Sequence, residues 1–183
     1  SQRTMDFFGR GAARERALFD YRGLYEALVH THRPFDVIAD LQGLRPRHRA
    51  LILPNVACLD ADEISGIDRF VESGGTLIAT GETSLYDGGG AWRGGRYGLE
   101  SLALDFRDRR SMVGSYLSIA DRAAFPSLAH TDLVALSDEL IRFDVRDKTK
   151  VTLEDLAATA AVTNNTPEFA YWTATTEDHG LVV

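Results

Sequence analysis

The chain has 183 residues, 44% of them hydrophobic and 26% charged, with 20 basic against 27 acidic side chains and a formal net charge of −7. That length buries about 70% of the unfolded surface without a metal or disulfide staple. The acidic balance speaks against a general nucleic-acid binder and against a polybasic membrane patch. No apolar run approaches the ~20 residues that span a bilayer. The single cysteine, Cys58, excludes an internal disulfide, and the five histidines show no zinc spacing with it. Ser1 to Arg16 holds no apolar signal-peptide core, so a cytoplasmic location is expected.

In chain order, Leu18, Tyr21, Tyr25, Leu28 and Val29 share one helical face and predict a helix over residues 13–32, stopped by Pro34. Phe35 to Ala39 is a short apolar run fit for a strand. Ala50-Leu51-Ile52-Leu53, closed by Pro54, reads as a strand buried on both faces. Asp60 with Glu63 forms a capping-box signature, and Ile64, Ile67, Phe70 and Val71 give the helical face behind it. Gly74-Gly75 supplies the left-handed stop, and Thr76 to Thr80 is a second buried strand. Strand, helix and strand in this order predict a right-handed parallel crossover, and an α/β fold with an open, doubly wound, mostly parallel sheet.

Residues 81–98 hold seven glycines and predict a loop. Leu99 to Phe106 reads as a short helix. Met112 to Ile119 and Leu140 to Val145 read as strands, and Val151 to Val162 is ambiguous, since alanine and threonine pull opposite ways. The ending Gly180-Leu181-Val182-Val183 reads as the start of an apolar strand, which predicts a piece excised from a longer protein.

Ligands of open α/β sheets bind beyond the carboxyl ends of the strands. The candidates there for ligand or interface contacts are Glu82, Thr83, Ser84, Tyr86, Asp87, Trp92, Arg93 and Tyr97. Ser84 lacks the flanking glycines of a nucleophile elbow, so a turn-capping role for Thr83 and Ser84 is the expectation. Cys58 near a helix start is a candidate thiolate, but its Ala-Cys-Leu setting favours a small buried hydrophobe. Glu82 and Asp87 share a loop and are candidates for a glycosidase carboxylate pair, though Glu82 as a brace of that loop is the favoured reading. Tyr86, Trp92 and Tyr97 suit stacking on sugar rings, with Asp87 and Arg93 on hydroxyls; the same residues suit a protein interface. His30 and His32 point to different helix faces, and His130 and Asp132 stand in a loop, so no metal is expected. No Walker-type phosphate loop is present, and no cofactor is expected.

The runs Ala50 to Asp60 and Ile67 to Ser84, with Tyr21 to Leu28 and Pro34 to Ile38 upstream, resemble the beta-galactosidase trimerisation domain of glycoside hydrolase family 42. The resemblance covers residues 16–106 and is looser over 107–183. It implies a flavodoxin-like, class I glutamine amidotransferase-like three-layer sandwich spanning 1–183 as a single domain, with extra strands over 107–183. In amidotransferases the strand after the Gly-Gly turn leads to a nucleophilic cysteine. The matching stretch here, Ile78 to Thr83, has none, so no catalytic residue carries over. The resemblance further implies a homo-oligomer, with the other domains of the same polypeptide as partners. The catalytic TIM barrel of such enzymes would lie outside this chain. The rival expectations are a carbohydrate-binding module acting through residues 81–98, and a cryptic hydrolase or amidotransferase using Ser84, Glu82 or Cys58.

Overall fold

The computed structural model describes residues 1–9, 12–111, 115–118, 125–131, 133–136, 139–147, 159–162 and 174–179. The chain divides into two compact units, Ser1–Leu102 and Ala103–Val183. Their secondary structure is mixed: helices and a parallel strand pair in the first, antiparallel strands in the second.

The first unit opens with helix α1, Gln2–Phe8, and helix α2, Ala12–His30. Strand β1, Ala50–Leu53, and strand β2, Thr76–Ala79, flank helix α3, Ala61–Glu72. β1 and β2 pair in parallel, Leu51 beside Leu77 and Leu53 beside Ala79, as the crossover pattern predicts. Leu51 and Leu53 are buried in one cluster with Leu59, Ile67 of α3 and Leu99, against which Leu77 and Ala79 also pack. The register puts Ile52 and Ile78 on the opposite face. Ile78 remains 43% exposed there.

α3 starts and stops where its end residues dictate. Asp60 Oδ1 accepts from the Glu63 N–H at 2.8 Å, and Glu63 Oε2 accepts from the Asp60 N–H at 2.9 Å, a closed capping box. Arg3 of α1 donates to both carboxylates. At the other end the Gly75 N–H reaches the Phe70 carbonyl and the Gly74 N–H that of Val71. Gly74 sits at φ 94°, completing a Schellman stop.

The cap gives an acid-sensitive prediction. The Glu63 N–H, and after it Arg3, hold the Asp60 carboxyl below the usual carboxylate range. A depressed carboxyl stabilises the fold above the unfolded value of ~3.9 and stops doing so as pH falls through the lower folded one. Asp60→Ala should cost about 1 kcal/mol near neutral pH. That deficit should shrink below about pH 4 in urea titrations run across pH. A deficit unchanged by acid would assign the loss to something other than the carboxylate.

Two sequence expectations are corrected. Phe35 to Ala39 is not a strand: no partner strand pairs with it among the described residues, and Phe35 and Val37 stay 38% and 62% exposed. Leu99 to Phe106 is not a helix. A single 3-10 turn, Glu100–Leu102, ends at Ala103, whose φ of 50° breaks any right-handed continuation.

From Leu104 the chain runs into strand β3, Leu104–Ser111, the first element of the second unit. β4, Ser115–Ser118, β5, Leu133–Leu136, β6, Glu139–Val145, β7, Thr159–Val162, and β8, Ala174–His179, follow. β3 and β6 form an antiparallel ribbon with Phe106 opposite Phe143 and Asp108 opposite Arg142. The other four make an antiparallel sheet in the order β5-β4-β7-β8. The strand expected at Leu140 to Val145 is β6, and β4 falls inside the run expected at Met112 to Ile119. β7 resolves the end of the ambiguous 151–162 stretch as strand. Residues 112–114, 119, 132, 151–158 and 180–183, on which the rest of these expectations fall, lie outside the described residues.

Candidate functional site

Beyond the carboxyl ends of β1 and β2, two segments, 54–60 and 80–98, are laced together by side chains that satisfy backbone groups. Asn55 Oδ1 accepts from the Glu82 N–H at 2.9 Å, and the Asn55 N–H donates to Thr80 Oγ1 at 3.1 Å. Thr80 in turn donates to the carboxylate of Asp20 in α2. Thr83 Oγ1 accepts from the Val56 N–H at 3.1 Å and lies 2.7 Å from the Thr80 carbonyl and 3.1 Å from that of Leu53. Gly81 is required: its φ is 60°, and a Cβ there would come within 2.6 Å of Asn55 Oδ1.

Ser84 is fully buried at φ 68°. Its N–H donates to the Val56 carbonyl at 2.9 Å, and its Oγ accepts from the Leu99 N–H at 3.3 Å. The hydroxyl is thus enclosed, with the Leu99 N–H as its partner. Glu82 and Thr83 are buried beside it, at 7% and 1% exposure. Tyr97 is buried too, its hydroxyl facing the Gly81 carbonyl at 3.5 Å, and burial pushes its phenol up to about 12.

The remaining candidates sit further out. Tyr86 bridges by backbone to Cys58 on one side and Trp92 on the other. Its ring lies 5.1 Å from that of Trp92, which is 45% exposed. Asp87 Oδ1 accepts from the Gly89 and Ala91 N–H groups at 2.8 and 2.9 Å, and these bonds hold its carboxyl below the usual range. Arg93 donates to the Leu59 carbonyl at 2.9 Å. Thus Glu82, Thr83, Ser84 and Tyr97 are brought together in the interior, while Tyr86, Asp87 and Trp92 line the rim.

α1 is the contributor that the sequence pattern does not point to. Thr4, 5% exposed, accepts the Cys58 N–H on its Oγ1 at 3.1 Å, and Phe7 packs on Tyr86 with centroids 4.4 Å apart. The pairing of Thr4 with Phe7 at i, i+3, one turn apart on a helix face, is the signal that could have found it. Cys58 beneath is 1% exposed, and burial, then the Asp87 charge, pushes its thiol up. This is the opposite of an activated thiolate. Among the described residues no group of histidine, cysteine and carboxylate side chains is placed to hold a metal, and no helix is long and apolar enough to cross a membrane.

At the opposite end of the strands lies a groove of about 380 Å³ lined by Leu44, Arg45, His48, Arg49 and Phe70. His48 Nδ1 accepts the Arg45 N–H at 2.9 Å, so its Nε2 is the nitrogen that donates to Asp36, at 2.7 Å. The groove is shaped by bonds within the chain.

No family model matches this chain, and no curated protein does. Among solved structures, a catalytic mutant of a GH42 beta-galactosidase from G. stearothermophilus aligns with 96% of this chain at 17% identity and a TM-score of 0.62. A second structure of that enzyme aligns over the same share at 18% identity and a TM-score of 0.61. A beta-galactosidase from Bifidobacterium adolescentis aligns at 18% identity over 90% of this chain and 81% of its own, with a TM-score of 0.45. This chain spans about a quarter of the length of the G. stearothermophilus enzyme: 25% in both alignments. At such identities the likeness is one of fold, and the fold shared is that of a part of the GH42 beta-galactosidase chain.

Proposed function

We propose that this chain is a non-catalytic accessory and assembly module of a larger, beta-galactosidase-like glycoside hydrolase, built on an amidotransferase-like, doubly wound scaffold. The observation that carries the reading is the filled carboxyl edge of the β1–β2 pair. There Thr83 and Ser84 use their hydroxyls on backbone groups, and Cys58, whose N–H donates to Thr4 of α1, is buried. The shared fold with part of a GH42 beta-galactosidase supports the parent class. The partners of the module are then the other domains of its polypeptide and further copies of itself, in the cytoplasm. A second reading has its own support: Trp92, half-exposed against Tyr86, offers a ring face on which a sugar would stack.

The purified chain is expected to turn over neither a chromogenic beta-galactoside nor glutamine. Turnover abolished by Ser84→Ala, Glu82→Gln or Cys58→Ala would overturn the proposal. Quenching of Trp92 fluorescence by galacto-oligosaccharides would establish the second reading alongside it.

A further inference from the structure

Arg45-Pro46-Arg47-His48-Arg49 places three arginines and a histidine in five successive positions of a chain whose net charge is −7. The run is a closed turn. The His48 N–H donates to the Arg45 carbonyl at 2.9 Å, with Pro46 at the second position, where its fixed φ suits the turn. The Arg45 N–H donates in return to His48 Nδ1 at 2.9 Å. The carboxylate of Asp36 accepts from His48 Nε2 and from the Arg47 guanidinium, each at 2.7 Å. The one nearby carboxylate is thus engaged by the middle of the turn, and its two flanks, Arg45 and Arg49, are brought to one groove without an acidic partner.

That groove, of about 380 Å³, lies at the amino-terminal side of β1 and β2. Arg45 is held there by the carbonyls of Gln42 and Leu44. The exposed Arg49 guanidinium has no hydrogen bond or ion pair among the described residues. The chain carries 27 acidic side chains, yet among the described residues none lines the groove. α3 ends at the facing wall, and Arg69 in its last turn offsets the negative pole, worth about half a charge. The two arginines therefore leave the groove positive. Its floor is apolar and fixed, since Leu44 and Phe70 both pack against the buried cluster of Leu51, Ile67 and Leu99. The Phe70 ring lies so close to Gly75 that a Cβ there would come within 2.3 Å of it. At the rim, Ser73 Oγ gives its proton to the Phe70 carbonyl at 2.8 Å and is left as an acceptor. Two guanidinium forks without a carboxylate suit a tetrahedral dianion, which accepts from both at once. The volume stands near the lower end of the range of small-ligand sites, about 300–1,000 Å³.

We propose that this groove binds a small phosphate monoester of hexose size, its phosphate held by Arg45 and Arg49 and its body laid on Phe70 and Leu44. The site is independent of the assembly role above. Titrated calorimetrically with glucose 6-phosphate, the whole chain is expected to show one saturable site. Inorganic phosphate should bind about tenfold more weakly, since it lacks the body that covers the apolar floor. Glucose, which lacks the charge, should show no binding. Raising sodium chloride should weaken the glucose 6-phosphate site. Arg49→Ala should weaken it about tenfold or more and leave the melting temperature of the free chain unchanged, because that guanidinium makes no bond among the described residues. Arg49→Lys should recover only part of the loss, since an ammonium cannot make the two-pronged contact. Arg96→Ala, which removes an exposed arginine paired with Glu100, should leave binding as it was. Absence of a saturable site, equal affinity for glucose 6-phosphate and inorganic phosphate, or binding indifferent to Arg49→Ala would each overturn the proposal.

Discussion

Leu99→Ala is expected to lower the unfolding free energy of the first unit by about 3 to 4 kcal/mol. Leu99 is fully buried, in one cluster with Leu51 and Leu53 of β1, with Leu59, and with Ile67 of α3, so its truncation leaves a cavity in that cluster. Its backbone N–H is tied to Ser84 Oγ at 3.3 Å, which limits how far the site can collapse to fill that cavity. Against a typical stability of about 5–15 kcal/mol, the loss removes a large share of the unit's margin. Urea titration in a Trp172→Phe background, with Trp92 as reporter, should show a lower midpoint and an unchanged slope. A shift worth less than about 1 kcal/mol would place Leu99 outside the core.

Thr83→Val is expected to cost about 2 to 3 kcal/mol although it preserves shape. The lost hydroxyl is the one that meets the Val56 N–H and the carbonyls of Thr80 and Leu53, at a position 1% exposed. The carbonyls of Thr80 and Leu53 keep the Thr83 and Thr80 N–H groups as donors, so the Val56 N–H is the group whose lost partner is left uncompensated. Thr83→Ser keeps the hydroxyl and should cost about 1 kcal/mol or less, the loss of one methyl. The order of the two variants is the test. If the serine variant were less stable than the valine variant, packing of the methyl rather than the hydrogen bonds would hold the two segments together.

The crossover from Ala50 to Ala79 was legible because every level agrees there. Its strands are short and greasy, Asp60 and Glu63 cap the helix reciprocally, and Gly74-Gly75 stops it. The run at Phe35 misled because greasiness alone does not make a strand: a ladder partner is needed, and none of the described strands supplies one. Leu99 and Leu102 fall at helical spacing, but the left-handed backbone at Ala103 depends on tertiary context that no local pattern encodes. The candidate site was half legible. A glycine-rich segment with aromatic residues was visible, and Trp92 does lie at the surface. The turn-capping role expected of Thr83 and Ser84 was legible, since their hydroxyls do complete bonds that the chain's own turn leaves open. That these residues and Glu82 are buried while doing so was not, because burial here depends on segment 54–60, distant in sequence.

The chain has a single sulfhydryl, buried at a residue whose N–H bonds to Thr4 of a seven-residue helix that an arginine and a ring contact also hold. A closed molecule is thereby chemically silent towards alkylating reagents, and an opened one reacts once. The stoichiometry of iodoacetamide uptake thus counts the molecules in which the structure around Cys58 has opened, with no label introduced.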